Sequence, residues 1–333
     1  MKLIRTEDAV GHVLCHDMTQ IIKDKYKDAR FRKGHVVTEE DIPVLLSMGK
    51  EHLYVWEMTP GMVHENDAAE RLLTLCGQEN MLRSEVKEGK IELKAACDGV
   101  FLVDSQRLIA VNSQDEVMIA TRRGGTAVRA GDKLAGMRVI PLIIAEEKLQ
   151  KAERAAGGEP LLSLKPYVRK TACIVATGGE VKKGLIQDTF TPVVIDKLRT
   201  YGIETLEVVY SGDGVENVRD AVLAMRERNP DMVLCTGGMS VDPDDNTPSG
   251  IRAAGADIVC YGAPFLLGYF DDGMPVMGLP GCVMYAGATV FDLVLPKVAA
   301  DVPVTRADIA AMGEGGLCLG CKPCRYPVCP FGK

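Results

Sequence analysis

The sequence has no histidine after His64; all five lie between residues 12 and 64. Residues 168 to 333 therefore offer no imidazole, which excludes a Ser-His or Cys-His mechanism built within that half. There is no run of ~18 to 20 uninterrupted apolar residues, so a membrane-crossing helix is not expected. The opening stretch MKLIRTEDAVGH lacks the apolar core of a signal peptide, and a cytoplasmic location is expected. Positive charge is not in excess either, since 39 Lys and Arg face 46 Asp and Glu. A formal net charge of −7 leaves no broad basic face for duplex nucleic acid or an anionic membrane, and neither is expected as a partner.

Cysteine, by contrast, is plentiful and uneven. Of 11 cysteines, Cys15, Cys76, Cys97, Cys173, Cys235, Cys260 and Cys282 are scattered, several within apolar strand-like runs, and read as small buried hydrophobes. The other four, Cys318, Cys321, Cys324 and Cys329, fall within the segment GLCLGCKPCRYPVCPFGK. Their Cys-x2-Cys-x2-Cys-x4-Cys-Pro spacing has the thiolate density of a metal site, suited to an iron–sulfur cluster or to tetrahedral Zn²⁺. Free thiols or disulfides are the alternative. Prolines 323, 327 and 330 suit a small knuckle, and the tail has too few apolar residues to order itself without a metal.

At 333 residues the chain is long for one domain, and two domains with appendages are expected. Residues 1–60 read as a small α+β module, with strand candidates GHVLCHD and KEHLYVWE and a helix in TEEDIPVLLSMG capped by Thr38. His12, Cys15 and His16 are metal-capable types there, but in an alternating apolar segment they read as surface polar residues. Residues 61–150 combine a helix with short apolar runs separated by turns, hence strands and hairpins. Their RRGGT turn is a solvated loop or an anion contact. Residues 151–167 read as a charged helical end relaxing into a Gly/Pro linker.

From residue 168 the pattern changes to alternation of strand-like and helix-like stretches. TACIVATG, TLEVVYSG and DMVLCTGG are strand-like, while DTFTPVVIDKLRTYG and GVENVRDAVLAMRERNP place apolar residues three and four apart. Repeated βαβ units of this kind make a mostly parallel sheet with helices on both faces, here extending to about residue 305. Ligands of such sheets sit beyond the carboxyl ends of the strands, where glycine loops and helix N-termini meet anions. Three loops qualify: TGGE after Ala176, TGGMS after DMVL, and GLPG after PVM. Acids beside a phosphate loop repel it unless a divalent cation intervenes, so Asp245, Asp244, Asp242 and Glu180 are candidate Mg²⁺ positioners. The same acids also suit the N-terminus of a helix starting near Thr247.

In residues ~170–300 these motifs resemble the molybdopterin-binding domain shared by molybdopterin molybdotransferases, molybdopterin adenylyltransferases and CinA-type proteins. The family's Thr-Gly-x-Glu loop is matched by Thr177, Gly178, Gly179 and Glu180, and its Asp-Thr helix start by Asp188 and Thr189. Asp213 stands at the acidic turn, and Thr236 opens the next loop. Gly237, Gly238, Ser240, Val241, Asp245 and Thr247 match the Gly-Gly-x-Ser-Val loop, and Gly278, Leu279, Pro280 and Gly281 the Gly-Leu-Pro-Gly loop.

The resemblance implies a three-layer α/β/α sandwich, preceded by a smaller α+β and β-rich region. Its loops would hold molybdopterin or the adenylated form, with a role in molybdenum cofactor synthesis, modification or delivery. If the protein is an enzyme, the expected class is a molybdotransferase-like transferase using Asp245, Asp244 and Glu180 with Mg²⁺. Three features depart from the molybdotransferases. Their Ser-x-Met-Asp-Gly motif is not found, the cysteine tail stands where they continue into a β-barrel, and Cys282 replaces an asparagine after the Gly-Leu-Pro-Gly loop. The paired acids of DDNT are closer to the CinA-type loop, which implies nucleotide pyrophosphate (ADP-ribose) hydrolysis as an alternative. A non-catalytic carrier or sensor that reads redox state through the tail is a further alternative. Homo-oligomerisation is expected, as is contact with a molybdoenzyme or another cofactor-synthesis protein.

Overall fold

The computed structural model describes residues 2–22, 26–56, 60–239, 245–262 and 265–332, which fall into two compact units. The first takes in residues 1–96, 103–124 and 131–163; the second takes in 97–102, 125–130 and 164–333.

In the first unit, Lys2–Arg5 and Val13–Leu14 flank His52–Trp56 in an antiparallel sheet. Leu14, Met18, Phe31, Leu45, Leu53 and Val55 form its core, and Asp41–Ser47 is the expected helix. Thr38 does not cap that helix by accepting from it. Its own N–H and hydroxyl both donate to Asp41 Oδ2, at 2.8 Å each, and His35 Nε2 lies 2.6 Å from the same oxygen. A four-stranded antiparallel sheet runs in the order Val117–Thr121, Lys133–Val139, Lys90–Ala95, Met81–Arg83. The helix Glu65–Cys76 buries Ala68, Ala69, Leu72, Leu73 and Cys76, the spacing of one helical face. Arg122 of the RRGGT turn is engaged by Asp132 at 2.8 Å. The stretch read as a linker holds the second half of the helix Glu146–Ala156 and the strand Leu162–Pro166.

Glu65 is buried at the start of its helix, packed where a side chain at Gly34 or Gly89 would otherwise sit. Burial outweighs the nearby charges of His64 and Arg138 and raises its carboxyl above the usual range. A raised folded-state value means that the neutral acid favours folding below the ordinary carboxylate pKa, and that this contribution is lost as pH rises through the raised value. Glu65→Gln, which cannot ionise, is therefore expected to lose less stability than the native protein between about pH 4 and pH 7. Thermal unfolding across that range reads the difference, and parallel curves for the two proteins would contradict it.

The second unit is built on a six-stranded sheet: β1 Thr171–Thr177, β2 Glu204–Ser211, β3 Met232–Thr236, β4 Asp257–Gly262, β5 Phe265–Tyr269 and β6 Pro275–Leu279. Their order is β2-β1-β3-β6-β5-β4. The first three pairings are parallel, and β6/β5 and β5/β4 are antiparallel. The expected mostly parallel sheet is thus present, with β5 an additional strand that turns its far edge antiparallel.

The helices are α1 Gly179–Lys182, α2 Phe190–Thr200, α3 Val215–Arg226, α4 Thr247–Ala253, α5 Cys282–Tyr285, α6 Val290–Ala299 and α7 Arg306–Ala311. Alternation along β1 divides the core. Ala172 and Ile174 face one way, onto Val194 and Leu198 of α2 and Phe291, Val294 and Leu295 of α6. Cys173 and Val175 face the other way, onto Val218, Val222 and Met225 of α3 and Ile251 of α4. Helices therefore cover both faces, giving the three-layer sandwich. Burial raises the Cys235 thiol to about 12, which keeps it protonated and unreactive, as expected of a packing residue.

Candidate functional site

The carboxyl ends of neighbouring strands finish level with one another. Ala176 of β1 is in register with Thr236 of β3, Thr236 with Leu279 of β6, and Thr177 with Ser211 of β2. Four loops therefore leave the same edge of the sheet, at residues 178–180, 212–214, 237–246 and 280–281.

Hydrogen bonds tie these loops together. Thr177 Oγ1 donates to the Thr236 carbonyl at 2.9 Å and lies 3.1 Å from Thr247 Oγ1. Gly237 N–H donates to the Leu279 carbonyl at 3.3 Å, and Thr247 N–H to the Gly238 carbonyl at 3.2 Å. Gly237 and Gly238 have φ of +79° and +58°, the left-handed region that favours glycine. An alanine Cβ would lie 2.6 Å from the Thr177 carbonyl oxygen at the first and 2.5 Å from Thr247 Oγ1 at the second. The turn is therefore closed against β1 and α4, and glycine is what allows that approach.

Not every expected amide is available to a ligand. Gly178 N–H donates to the Ser211 carbonyl at 3.2 Å, and Gly179 N–H to Asp213 Oδ2 at 3.1 Å. Asp213 thus fastens the first loop to the second. Among the described residues, the amides of Gly238 and Gly281 have no acceptor.

Asp188 caps α2, with Oδ1 accepting from the Phe190 and Thr191 amides at 2.9 and 3.0 Å. Its Oδ2 is buried and has no hydrogen-bond partner among the described residues. Tyr210 stands close enough that burial, and then the Asp188 charge, raise its hydroxyl pKa. Tyr210 and Lys182 were not anticipated from sequence. Lys182 ends α1, reaches toward Gly212, and forms no ion pair among the described residues. The Lys-Lys pair one residue beyond the TGGE loop was the available signal.

The acids are less concentrated than expected. Glu180 is exposed, Asp245 is half-buried, and Ser240, Asp242 and Asp244 lie outside the described residues. Among the described residues no three His, Cys, Asp or Glu side chains stand close enough together to hold a metal ion. That includes His12, Cys15 and His16. Pro280 is buried, Gly281 is exposed, and the half-buried Cys282 has its thiol pKa raised by burial, as a space-filler would.

Residues 173–300 match the family model described as "probable molybdopterin binding domain". This segment belongs to the molybdopterin-binding domain superfamily. Residues 3–57 match a separate domain family of unknown function. Over 93 residues, 28% of this chain, the protein is 31% identical to the CinA-like protein of Mycobacterium tuberculosis and 29% identical to that of Mycobacterium marinum. The chain spans 22% of the length of these relatives.

Solved structures similar to the molybdopterin-binding-type domain include CinA of Thermoplasma acidophilum, of unknown function, at 18% identity, with 39% of this chain and 98% of that one covered and a TM-score of 0.34. They also include the molybdopterin biosynthesis Mog protein of Mycobacterium ulcerans at 21% identity, with 40% and 97% covered and a TM-score of 0.34. No helix among the described residues is long and apolar enough to cross a membrane.

Proposed function

We propose that the molybdopterin-binding-type domain holds molybdopterin, or its adenylated form, in the loops beyond β1, β3 and β6, and serves molybdenum cofactor synthesis, modification or delivery. The observation that carries this reading is the level ending of those strands, with Thr177, Gly237 and Thr247 tying the loops into one cradle. In it the amides of Gly238 and Gly281, next to Pro280, and the hydroxyl of Ser240 would meet the ligand phosphate, with the buried Thr236 and Thr247 holding the loops in place. The Lys182 ammonium would offset the phosphate charge.

If the domain transfers groups, Mg²⁺ would enter with the phosphates to polarise them, faced by Asp245, Asp244, Asp242 and Glu180. The loop amides would then stabilise the charge that develops.

Removing the charge in Lys182→Ala is expected to weaken binding of a pterin phosphate about tenfold, an effect of the size of one charge-assisted hydrogen bond. Titration calorimetry measures it, and an unchanged affinity would contradict the placement of the phosphate.

The resemblance of the DDNT loop to CinA-type proteins, with 31% identity to a CinA-like protein over 93 residues, supports a second reading, hydrolysis of a nucleotide pyrophosphate. Its test is Mg²⁺-dependent cleavage of ADP-ribose that disappears in Asp245→Ala. No cleavage by the native protein removes this reading and leaves the pterin site standing.

A further inference from the structure

Beyond α7 no helix or strand follows among the described residues, yet the tail is fastened at several points. The Tyr326 hydroxyl donates to the Asp292 carbonyl on α6 at 2.9 Å, and its ring meets buried Phe331 edge-on, centroids 6.2 Å apart. Gly332 packs on Leu293, and its N–H donates to the Gly315 carbonyl at 2.9 Å, closing residues 315–332 into a loop. Cys324 Sγ lies against Gly287, in the connection between α5 and α6. Two aromatic anchors thus hold a segment whose composition alone promised no order.

Inside this loop Cys318, Cys321, Cys324 and Cys329 all line one cavity of about 290 Å³. None is in a disulfide; the first three are exposed and the fourth half-buried. Leu319 and Val328 also line the cavity, although 74% and 81% of their surface is exposed. Lys322 and Arg325 complete the wall, and neither forms an ion pair among the described residues.

Four thiols around one cavity of this size stand as the corners of a polynuclear centre would. The first three follow the Cys-x2-Cys-x2-Cys run of bacterial iron–sulfur proteins, while Cys329, after a gap of four residues, is assigned to the same centre because it lines the same cavity.

We propose that Cys318, Cys321, Cys324 and Cys329 ligate a four-iron, four-sulfide cluster, seated against Gly287 and bordered by Leu319 and Val328. Four thiolates around a dicationic core leave a double negative charge, which Lys322 and Arg325 match. Loading is ligand exchange: bonds from iron to a carrier's thiolates break as bonds to the four cysteines form. Protons leaving the cysteines pass to the departing thiolates, and no electron changes hands. This inference stands apart from the pterin reading, since it uses none of the cradle residues.

The test is the full chain purified without oxygen. Iron and acid-labile sulfide are expected in equal amounts, about four of each per chain, with a broad visible absorption. Cys321→Ser and Cys324→Ser are each expected to lower iron retention at least about tenfold, whereas Cys97→Ser, outside the tail, keeps it. Far-UV circular dichroism checks that the variants fold. Independently of any variant, the four tail thiols of the native protein should resist alkylation until a chelator strips the iron, as read by peptide mass spectrometry. Zinc without sulfide overturns the proposal, as do tail disulfides, or metal-free protein whose tail thiols alkylate at once.

Discussion

Gly237→Ala is expected to unfold the domain about 2–5 kcal/mol more easily than the native protein and to abolish ligand retention. Two costs add. The left-handed backbone at this position costs a non-glycine residue about 1–2 kcal/mol. The new Cβ would also sit 2.6 Å from the Thr177 carbonyl oxygen, a backbone atom of β1 that cannot move without its strand, and overpacking of this kind costs about 1–3 kcal/mol. Gly202 separates the two. It has φ of +69° but nothing within 4 Å of an added Cβ, so Gly202→Ala should show the backbone cost alone and leave binding intact. Chemical denaturation of both variants measures the difference. Equal losses would mean that the loop is not closed against β1.

Asp292→Ala is expected to cost about 3–5 kcal/mol, the penalty for removing one partner of a buried ion pair. Asp292 is 7% exposed and accepts from Thr289 N–H at 2.7 Å, completing the capping box of α6. It also pairs with Lys197 of α2, whose side chain is 16% exposed. One carboxylate thus starts α6 and joins it to α2 on the same face of the sheet. Its loss leaves a buried ammonium unmatched. The double variant Lys197→Met with Asp292→Asn keeps an acceptor for the cap and leaves no charge behind, so it should regain most of the lost stability. Thermal unfolding of the native, single and double forms decides the matter, and a double variant as unstable as the single one would contradict the unmatched ammonium as the source of the loss.

Much of the second unit was legible because its periodicities are unambiguous. The β1 and β3 runs are apolar and bounded by glycine, and α2 and α3 bury the residues spaced for one face: Val194 and Leu198, then Val218, Val222 and Met225. β5 was not read as a strand, because FLLGY is a five-residue run that periodicity alone cannot assign. At Thr38 the sequence showed a plausible acceptor, but the hydroxyl acts as a donor to Asp41, a choice fixed only by the loop geometry.

The cradle was readable as a set of loops and not as an inventory of amides. Gly179 and Asp213 looked like two contributors to a ligand site, and their register across β1 and β2 makes them partners of each other. Asp188 was placed correctly at a helix start, but only packing shows that one of its oxygens is capped by α2 while the other is buried unpaired. Lys182 was passed over because a lysine in a polar stretch is ordinarily solvated, and its nearness to Gly212 depends on the one-turn helix α1. The acidic cluster remains a sequence argument for Asp242 and Asp244, which lie outside the described residues.

The most direct test of the cradle is mass spectrometry of the small molecules released when the purified protein is denatured. A pterin, free or adenylated, retained by the native protein and lost from Gly237→Ala is the predicted result. A bound nucleotide without any pterin, or a pterin that Gly237→Ala retains as well as the native protein does, would contradict the account.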